Sequence, residues 1–390
     1  MLESLTGRRV LFYVPSMDVV NNGVYYSQVI GLALYIETLG AKSLVVYSCT
    51  GEPEYRDFVL DGVQVIRCRQ TDKYVPLPFL PYMYRKATKS ALARMKAFAP
   101  THVYVRDPFS GVVGLKIARK LGAKVVFSRR GAGLSIFATS LKCRIKDAIS
   151  EYYVSKVLKR ADHVNSVTRY LDSLMAHRTK APRTVLPCCV MEEKFNRIDS
   201  ASRMRIRAEL GFTNDAKVVV YSGGVGGYQC TNELITLFKH IHEKDKSIQF
   251  LLLTGNLQYV QDKMRSIGLD EGCVKMLKCA PTEVSAYLQT ADVGVILRDD
   301  DMVNRVASPV KIGEYLSSGL GIIVSPWIGD VGKMLASETF AYMCERDYDV
   351  GAIVHFIRNI TDKDKVSATE FARGYYTYEG NKPTVEAMFS

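Results

Sequence analysis

Lys311 and Glu314 stand three residues apart in the segment Ser308-Pro309-Val310-Lys311-Ile312-Gly313-Glu314-Tyr315-Leu316. On a helix that spacing puts a cation and a carboxylate on one face. Pro309 suits the first turn of such a helix, where its missing N–H would have no partner anyway. The segment follows an apolar strand pattern, Val293–Leu297, and a polar loop carrying Arg298. A second feature, Ser222-Gly223-Gly224-Val225-Gly226-Gly227, follows the apolar run Lys217–Tyr221 and precedes a helical pattern. A glycine turn between strand and helix lets backbone N–H groups close on a phosphate, with the helix dipole assisting. It is not a dinucleotide fingerprint, because Gln229 stands where the last glycine of G-x-G-x-x-G belongs. It is not a P-loop, because no Gly-Lys-Ser/Thr follows. In the first half, Asn22 and Gly23 precede a helical pattern, and Arg129, Arg130 and Gly131 follow a strand pattern. Asp18 and Asp107 lie near predicted strand ends, where an aspartate serves equally as a turn or helix cap.

These residues need elements to hold them. Arg9–Val14, Ser43–Tyr47, Val63–Arg67, His102–Val105, Lys124–Phe127 and His163–Val167 read as short buried strands. Helical patterns fall between them at Val24–Leu39, Lys86–Phe98, Gly111–Leu121 and Lys142–Arg160. The alternation restarts with strands at Lys217–Tyr221, Gln249–Leu253, Val274–Leu277, Val293–Leu297 and Gly321–Val324. Strands alternating with helices of this length predict parallel sheets covered on both faces. The fold expected is α/β, with two Rossmann-like domains facing each other across a cleft. The polar stretch Pro182–Arg203 has no strand pattern and reads as the linker. Expected boundaries are 1–190 for the first domain and 191–365 for the second, with 366–390 packing back on the first. In doubly wound domains ligands bind beyond the carboxyl ends of the strands, and the loops named above lie there.

Composition narrows the class. A 390-residue chain with 47% apolar and 24% charged residues is long enough for two globular cores. No run of about 20 apolar residues suits a membrane span, and the N-terminus lacks a signal-peptide pattern. Nine scattered cysteines without a C-x-x-C pair, and six histidines without metal-site spacing, predict reduced thiols and no metal site. The formal charge of +12 is uneven. Residues 1–190 hold 29 Lys and Arg against 13 Asp and Glu, a net of +16, and the remainder nets −4. Such a field favours an anionic surface or partner. No nucleic-acid-binding motif is present.

In order along the chain, Asn21-Asn22-Gly23, Ala161-Asp162-His163-Val164, Val185-Leu186-Pro187, Ala291-Asp292-Val293, Arg298 and Ser308-Pro309-x-Lys311-x-x-Glu314-Tyr315-Leu316-x-x-Gly319 resemble the retaining GT-B glycosyltransferases, family 4 in particular. The resemblance covers most of the chain and is most specific in its C-terminal signature. It implies that Glu314 holds the donor ribose, as a carboxylate accepting two hydroxyls can. It implies that Lys311, Arg298 and the Gly223, Gly224 and Gly226 turn hold the diphosphate, with Ser308 and Pro309 in the donor set. Asn22, Gly23, Arg129 and Gly131 would line the N-domain side of the cleft, and Arg130, Lys311 and Arg298 would meet the charge of the departing diphosphate.

The sequence departs from the family pattern at three places. Val306 stands where the first glutamate of the paired-glutamate motif falls. Gln229-Cys230-Thr231 replace a basic pair after the glycine turn. Arg129-Arg130-Gly131 replace a histidine. The resemblance implies transfer from a nucleotide sugar, UDP-sugar favoured, to a hydroxyl acceptor in surface polysaccharide, lipopolysaccharide or glycolipid assembly, without metal or other cofactor. The alternatives are a GT-B binding protein without turnover, and a sugar-nucleotide epimerase. An epimerase wants carboxylates and a histidine converging in the cleft, and the cleft loops are poor in both.

The N-terminal half also carries Tyr74–Tyr84, apolar, aromatic and proline-rich, followed by Arg85, Lys86 and Lys89. Ile136, Phe137, Leu141 and Ile145 interleave with Lys142, Arg144 and Lys146. Aromatic and aliphatic groups beside cations suit an anionic bilayer surface. The expected location is the cytoplasm, with peripheral contact on the inner face of the membrane and a glycan or lipid-linked acceptor.

Overall fold

The computed structural model describes residues 4–20, 22–50, 55–131, 141–195, 198–213, 215–226, 229–280 and 282–390. The chain divides into two compact units. The first comprises 1–189, 306–308 and 381–390, and the second 190–305 and 309–380.

The first unit is built on eight strands: β1 (Arg9–Tyr13), β2 (Lys42–Cys49), β3 (Tyr55–Leu60), β4 (Val63–Arg69), β5 (His102–Val105), β6 (Lys124–Arg129), β7 (His163–Ser166) and β8 (Arg183–Val185). They lie in the order β3-β4-β2-β1-β5-β6-β7-β8, and every pair is parallel except β3 with β4. β1, β5 and β7 are buried almost throughout, as strands covered on both faces must be. The sequence reading has no β3. Its residues, YRDFVL, are half exposed at a sheet edge and carry too little apolar alternation to stand out. The signal lay in the turn instead. Leu60 pairs with Val63 across Asp61-Gly62, whose φ values of 49° and 101° are both positive, as a two-residue hairpin turn requires.

The second unit has six strands: β9 (Val218–Ser222), β10 (Gln249–Leu253), β11 (Val274–Leu277), β12 (Val293–Ile296), β13 (Gly321–Val324) and β14 (Ala341–Met343). All are parallel, in the order β11-β10-β9-β12-β13-β14. The strands and the helices Thr231–Lys244 and Val310–Ser317 enclose one continuous apolar core. The two units share a device. Asp162 precedes β7 and accepts the N–H of Val125 (2.7 Å), and Asp292 precedes β12 and accepts that of Val218 (3.0 Å). In each Ala-Asp pair the carboxylate ties two strand entrances together.

The stretch read as a linker is more structured than expected. It contains β8 and opens the helix Ser200–Glu209, capped where Asp199 accepts the N–H of Ser202 at 2.8 Å. That helix is highly charged, and the wholly buried residue it contributes is Arg207, so apolar periodicity could not reveal it. The helix expected at Val24–Leu39 is interrupted. It runs Gly23–Tyr25, widens into a π segment at Tyr26–Ile30 and resumes at Gly31–Thr38. Within the π segment, buried Gln28 donates its amide to the carbonyl of Cys189 (2.7 Å). The last two helices fall in different units. Asp362–Tyr375 belongs to the second, and Lys382–Met388 contacts β7 and β8 in the first.

Candidate functional site

The carboxyl ends of β9 and β12 in the second unit gather the residues singled out from the sequence. β9 runs into the glycine turn, where Gly223 and Gly226 have φ of +133° and +157°. Gly223 is required for a steric reason as well: a Cβ there would lie 2.4 Å from Lys311 Cε and 2.5 Å from its Nζ. The N–H of Gly223 is taken by the carbonyl of Leu253 (2.8 Å), and that of Gly226 by Thr231 Oγ1 (3.1 Å). Neither glycine therefore offers a free amide, and Gly223 supplies clearance for the lysine. Gly224 receives the Tyr221 hydroxyl on its carbonyl (2.5 Å). Gly227 lies outside the described residues.

Lys311 stands in the first turn of the helix Val310–Ser317, with Pro309 as the preceding cap residue. Its ammonium donates to the Tyr221 hydroxyl (2.9 Å) and to Gln229 Oε1 (3.3 Å), and lies 4.2 Å from the Tyr221 ring centroid. Arg298, 6% exposed, donates to the carbonyl of Leu297 (2.7 Å) and through Nη2 to the same Gln229 Oε1. One amide oxygen thus holds two cations together. The Arg298 backbone is fixed by Ser325 on its N–H (3.0 Å) and by Trp327 on its carbonyl (2.7 Å).

The helix is anchored by buried Tyr315, whose hydroxyl accepts the N–H of Ser222 (2.8 Å). Gly294 makes room for that ring, because a Cβ on it would meet the ring at 2.3 Å. Tyr221, Gln229 and Tyr315 hold the site, yet the sequence reading assigned them no role. Gln229 was noticed only as a departure. Neither tyrosine carries a signal that separates it from ordinary core.

Glu314 lies one turn beyond Lys311 and is partly exposed. Among the described residues its carboxylate accepts no hydrogen bond. Burial pushes its pKa from 4.5 up to about 7, against the opposing pull of Lys311. Lys311 is displaced the other way. Burial and then the Arg298 charge hold its pKa well below the ordinary lysine value, and Glu314 opposes them. Both groups are desolvated without a full complement of partners, the state in which a ligand's opposite charge or hydroxyl donors bring most.

Ser308 is placed differently. It belongs to the first unit, where its hydroxyl accepts the N–H of Cys188 (3.0 Å). Val306 lies in the same short segment, its carbonyl accepting the Thr168 hydroxyl (3.2 Å).

In the first unit Asn22 is a helix cap, its side chain accepting the N–H groups of Val24 (3.1 Å) and Tyr25 (3.2 Å) ahead of Gly23. Arg129 is 8% exposed and structural. It pairs with Glu151 (2.7 Å) and donates to the carbonyl of Gly131 (3.2 Å). Arg130 donates to Gln28 Oε1 (3.2 Å) and to the Tyr104 hydroxyl (3.1 Å). Burial would raise the pKa of Tyr104, but Arg130 and Arg106 bring it below the ordinary value. Asp107 caps the helix Pro108–Leu121, and Asp18 accepts the N–H of Val20. Ile136 and Phe137 lie outside the described residues. Among the described residues no cluster of three His, Cys, Asp or Glu side chains could hold a metal ion. No described helix is long and apolar enough to cross a membrane.

Two parallel-sheet α/β units, with ligand-ready groups at the carboxyl ends of the strands, define the GT-B fold, and solved glycosyltransferase structures share it. The sucrose-phosphate synthase of Thermosynechococcus elongatus matches with a TM-score of 0.73 at 14% identity, covering 97% of this chain and 96% of its own. HepE from Anabaena, in complex with UDP-glucose, gives 0.68 at 14% identity, with 97% and 99% covered. WaaG, a glycosyltransferase involved in lipopolysaccharide biosynthesis, gives 0.67 at 11% identity, with 98% and 99% covered. No family model matches the sequence, and no curated protein does. The likeness is one of fold.

Proposed function

We propose that the protein is a glycosyltransferase that moves a sugar from a nucleoside-diphosphate sugar, UDP-sugar favoured, to a hydroxyl acceptor with retention and without a metal. The observation that carries this reading is Glu314, a desolvated carboxylate that accepts no hydrogen bond among the described residues, one helical turn from an ammonium that reaches into a glycine turn. A ribose diol supplies the donors that carboxylate lacks, and a diphosphate supplies the charge Lys311 lacks. HepE, of the same fold, is described in complex with UDP and with UDP-glucose.

In the transfer, the bond from the anomeric carbon to the leaving diphosphate oxygen breaks and a bond to the acceptor oxygen forms. The acceptor proton passes to the departing diphosphate. Lys311 meets the developing charge directly, while Arg298 adds its field from behind through Gln229. Arg130 is the cation assigned to the same charge from the first unit. A thermal-shift panel of nucleotides tests the donor site. At about 100 times its Kd the correct nucleotide stabilises the protein by about 2.7 kcal/mol, and Glu314→Ala abolishes the gain. A well-folded protein that no nucleotide stabilises overturns the reading.

The acceptor side is assigned to an anionic membrane surface. The first unit has a groove of about 1150 Å³ into which eight Lys and Arg side chains converge, among them Arg85, Lys86, Lys89, Lys116 and Lys120. Asp162 is the acid at its edge, already bonded to the backbone of β6. Phe79, Tyr82, Leu141 and Tyr152 are each more than half exposed on elements that pack beside it. Cations with exposed aromatic groups match an anionic headgroup layer. This supports a lipid-linked acceptor in surface polysaccharide or lipopolysaccharide assembly.

A further inference from the structure

The helix that follows β1 is interrupted by the π segment Tyr26–Ile30, and the interruption carries a buried polar residue, Gln28. A π turn takes in one residue more than an α turn and re-aims the side chains beside it by about 100°. Gln28 is wholly buried, next to buried Val29 and Ile30. A buried amide costs free energy unless both its ends are bonded. Here both are. Nε2 donates to the carbonyl of Cys189 (2.7 Å), and Oε1 accepts Nη1 of Arg130 (3.2 Å). Only the nitrogen can serve a carbonyl and only the oxygen a guanidinium, so the amide has a single orientation.

The carbonyl end is itself fixed. The N–H of Cys188 is taken by Ser308 (3.0 Å), and Cys189 Sγ accepts Asn381 Nδ2 (3.8 Å). Arg130 is held at its other terminal nitrogen too, since Nη2 donates to the Tyr104 hydroxyl (3.1 Å). Tyr104 is wholly buried against the rings of Phe12 and Phe389, at 5.0 and 6.4 Å between centroids. Its hydroxyl is bonded by Ser128, which accepts from Asn165 (3.0 Å). An amide oxygen and a phenol thus direct the guanidinium without a carboxylate's charge, whereas neighbouring Arg129 is paired with Glu151 (2.7 Å). Gln28 and Arg130 both lie past the carboxyl ends of parallel strands, β1 and β6, where ligands of such a sheet bind.

We propose that Gln28 and Tyr104 are the positioning residues of Arg130, holding its guanidinium still for the charge that develops on the leaving diphosphate. The hold follows from the contacts above; its purpose rests on the transferase reading.

A double-mutant cycle on the full chain separates this from a merely structural role. The reaction followed is release of UDP from UDP-glucose with water as acceptor, with the Kd for UDP measured beside it. Gln28→Met is close in volume and lacks polar ends. It should lower kcat about tenfold or more, leave the Kd within about twofold, and cost nothing further in the Arg130→Ala background. Tyr104→Phe keeps the ring and loses only the hydroxyl, so it keeps the test valid should Gln28→Met fail to fold. It should lower kcat about threefold or more in the presence of Arg130 and not in its absence. An equal loss in both backgrounds, or an unchanged kcat in both single variants, overturns the assignment.

The hold is also read without turnover. In isotope-labelled protein the Nη resonances of Arg130, identified by their absence in Arg130→Lys, should be separately resolved and should merge in Gln28→Met. Resonances already merged in the wild type, or still resolved in Gln28→Met, overturn the hold. If UDP neither binds nor is released from UDP-glucose while the resonances behave as expected, the hold stands and the transferase reading fails.

Discussion

Replacing Glu314 with glutamine should make the unliganded protein more stable while removing its affinity for nucleotide. The carboxyl has a pKa of about 7 in the folded protein, against 4.5 when solvated. Between those values the folded state holds a proton that the unfolded state has lost. Stability therefore falls as pH rises from about 4.5 through 7 and levels off above. At 1.36 kcal/mol per pH unit the full penalty is about 3 kcal/mol. Glu314 is partly open to solvent, and its charge also supports Lys311, so a gain of about 1–2 kcal/mol is the expected outcome above pH 7.5. Below pH 4.5 both states are protonated and the variant should match the wild type. Denaturant unfolding at pH 4, 6 and 8 measures this directly, provided the slopes with denaturant agree. If Glu314→Gln destabilises at pH 8, or if its effect does not change with pH, the carboxylate already has partners and the argument for an empty ribose clamp is refuted.

Nucleotide affinity should itself depend on pH. Ribose hydroxyls lower the raised pKa of Glu314 and a diphosphate raises the lowered pKa of Lys311, so affinity for UDP rises as Glu314 ionises around pH 7 and falls as Lys311 loses its proton; titration in buffers of different ionisation enthalpy reads the protons exchanged. Gly223→Ala places a methyl group on Lys311 and demands φ of +133° from a residue that resists it, so UDP affinity should fall about tenfold or more and stability by about 1–3 kcal/mol. Arg130→Ala should leave UDP binding within about twofold while lowering kcat by about a hundredfold, the signature of a charge used in the transition state. Reversing Lys116 and Lys120 to glutamate should abolish sedimentation with vesicles rich in phosphatidylglycerol, leave UDP affinity unchanged, and make no difference with phosphatidylcholine alone.

The central parallel strands were readable because each is a short, doubly buried apolar run; Gln249–Leu253 and Gly321–Val324 have the predicted bounds, as does the part-buried edge strand Val274–Leu277, whereas the part-exposed parallel strands β8 and β14 were not read. What escaped was what burial does not mark. β3 lies on an edge, Ser200–Glu209 buries an arginine, and Asp362–Tyr375 announces itself only by the capping box of Thr361 and Asp364. The site was legible in its charged residues and illegible in their supports. Lys311, Glu314 and Arg298 have types and spacings that suggest chemistry. Tyr221 and Tyr315 become supports only when strand order brings β9 beside β12, and pairing β9 with β12 is a long-range fact that no local pattern contains.

The departure at Gln229 is where that limit matters most. Read along the chain, a basic pair after the glycine turn has been exchanged for neutral residues, and the turn loses its charge. In three dimensions the charge arrives from elsewhere. Lys311 enters the turn from a helix eighty-two positions downstream of Gln229, close enough that Gly223 could not bear a side chain. A lysine or arginine at 229 would face Arg298 and Lys311 at hydrogen-bonding distance, a third cation where the charge of Arg298 already depresses Lys311. Glutamine offers an oxygen to both instead. The substitution that looks like a loss is the one that lets the other two cations share the site. Gln229→Lys should accordingly weaken UDP binding rather than restore it. Stronger binding by that variant, measured by titration, would show that the turn was short of charge after all.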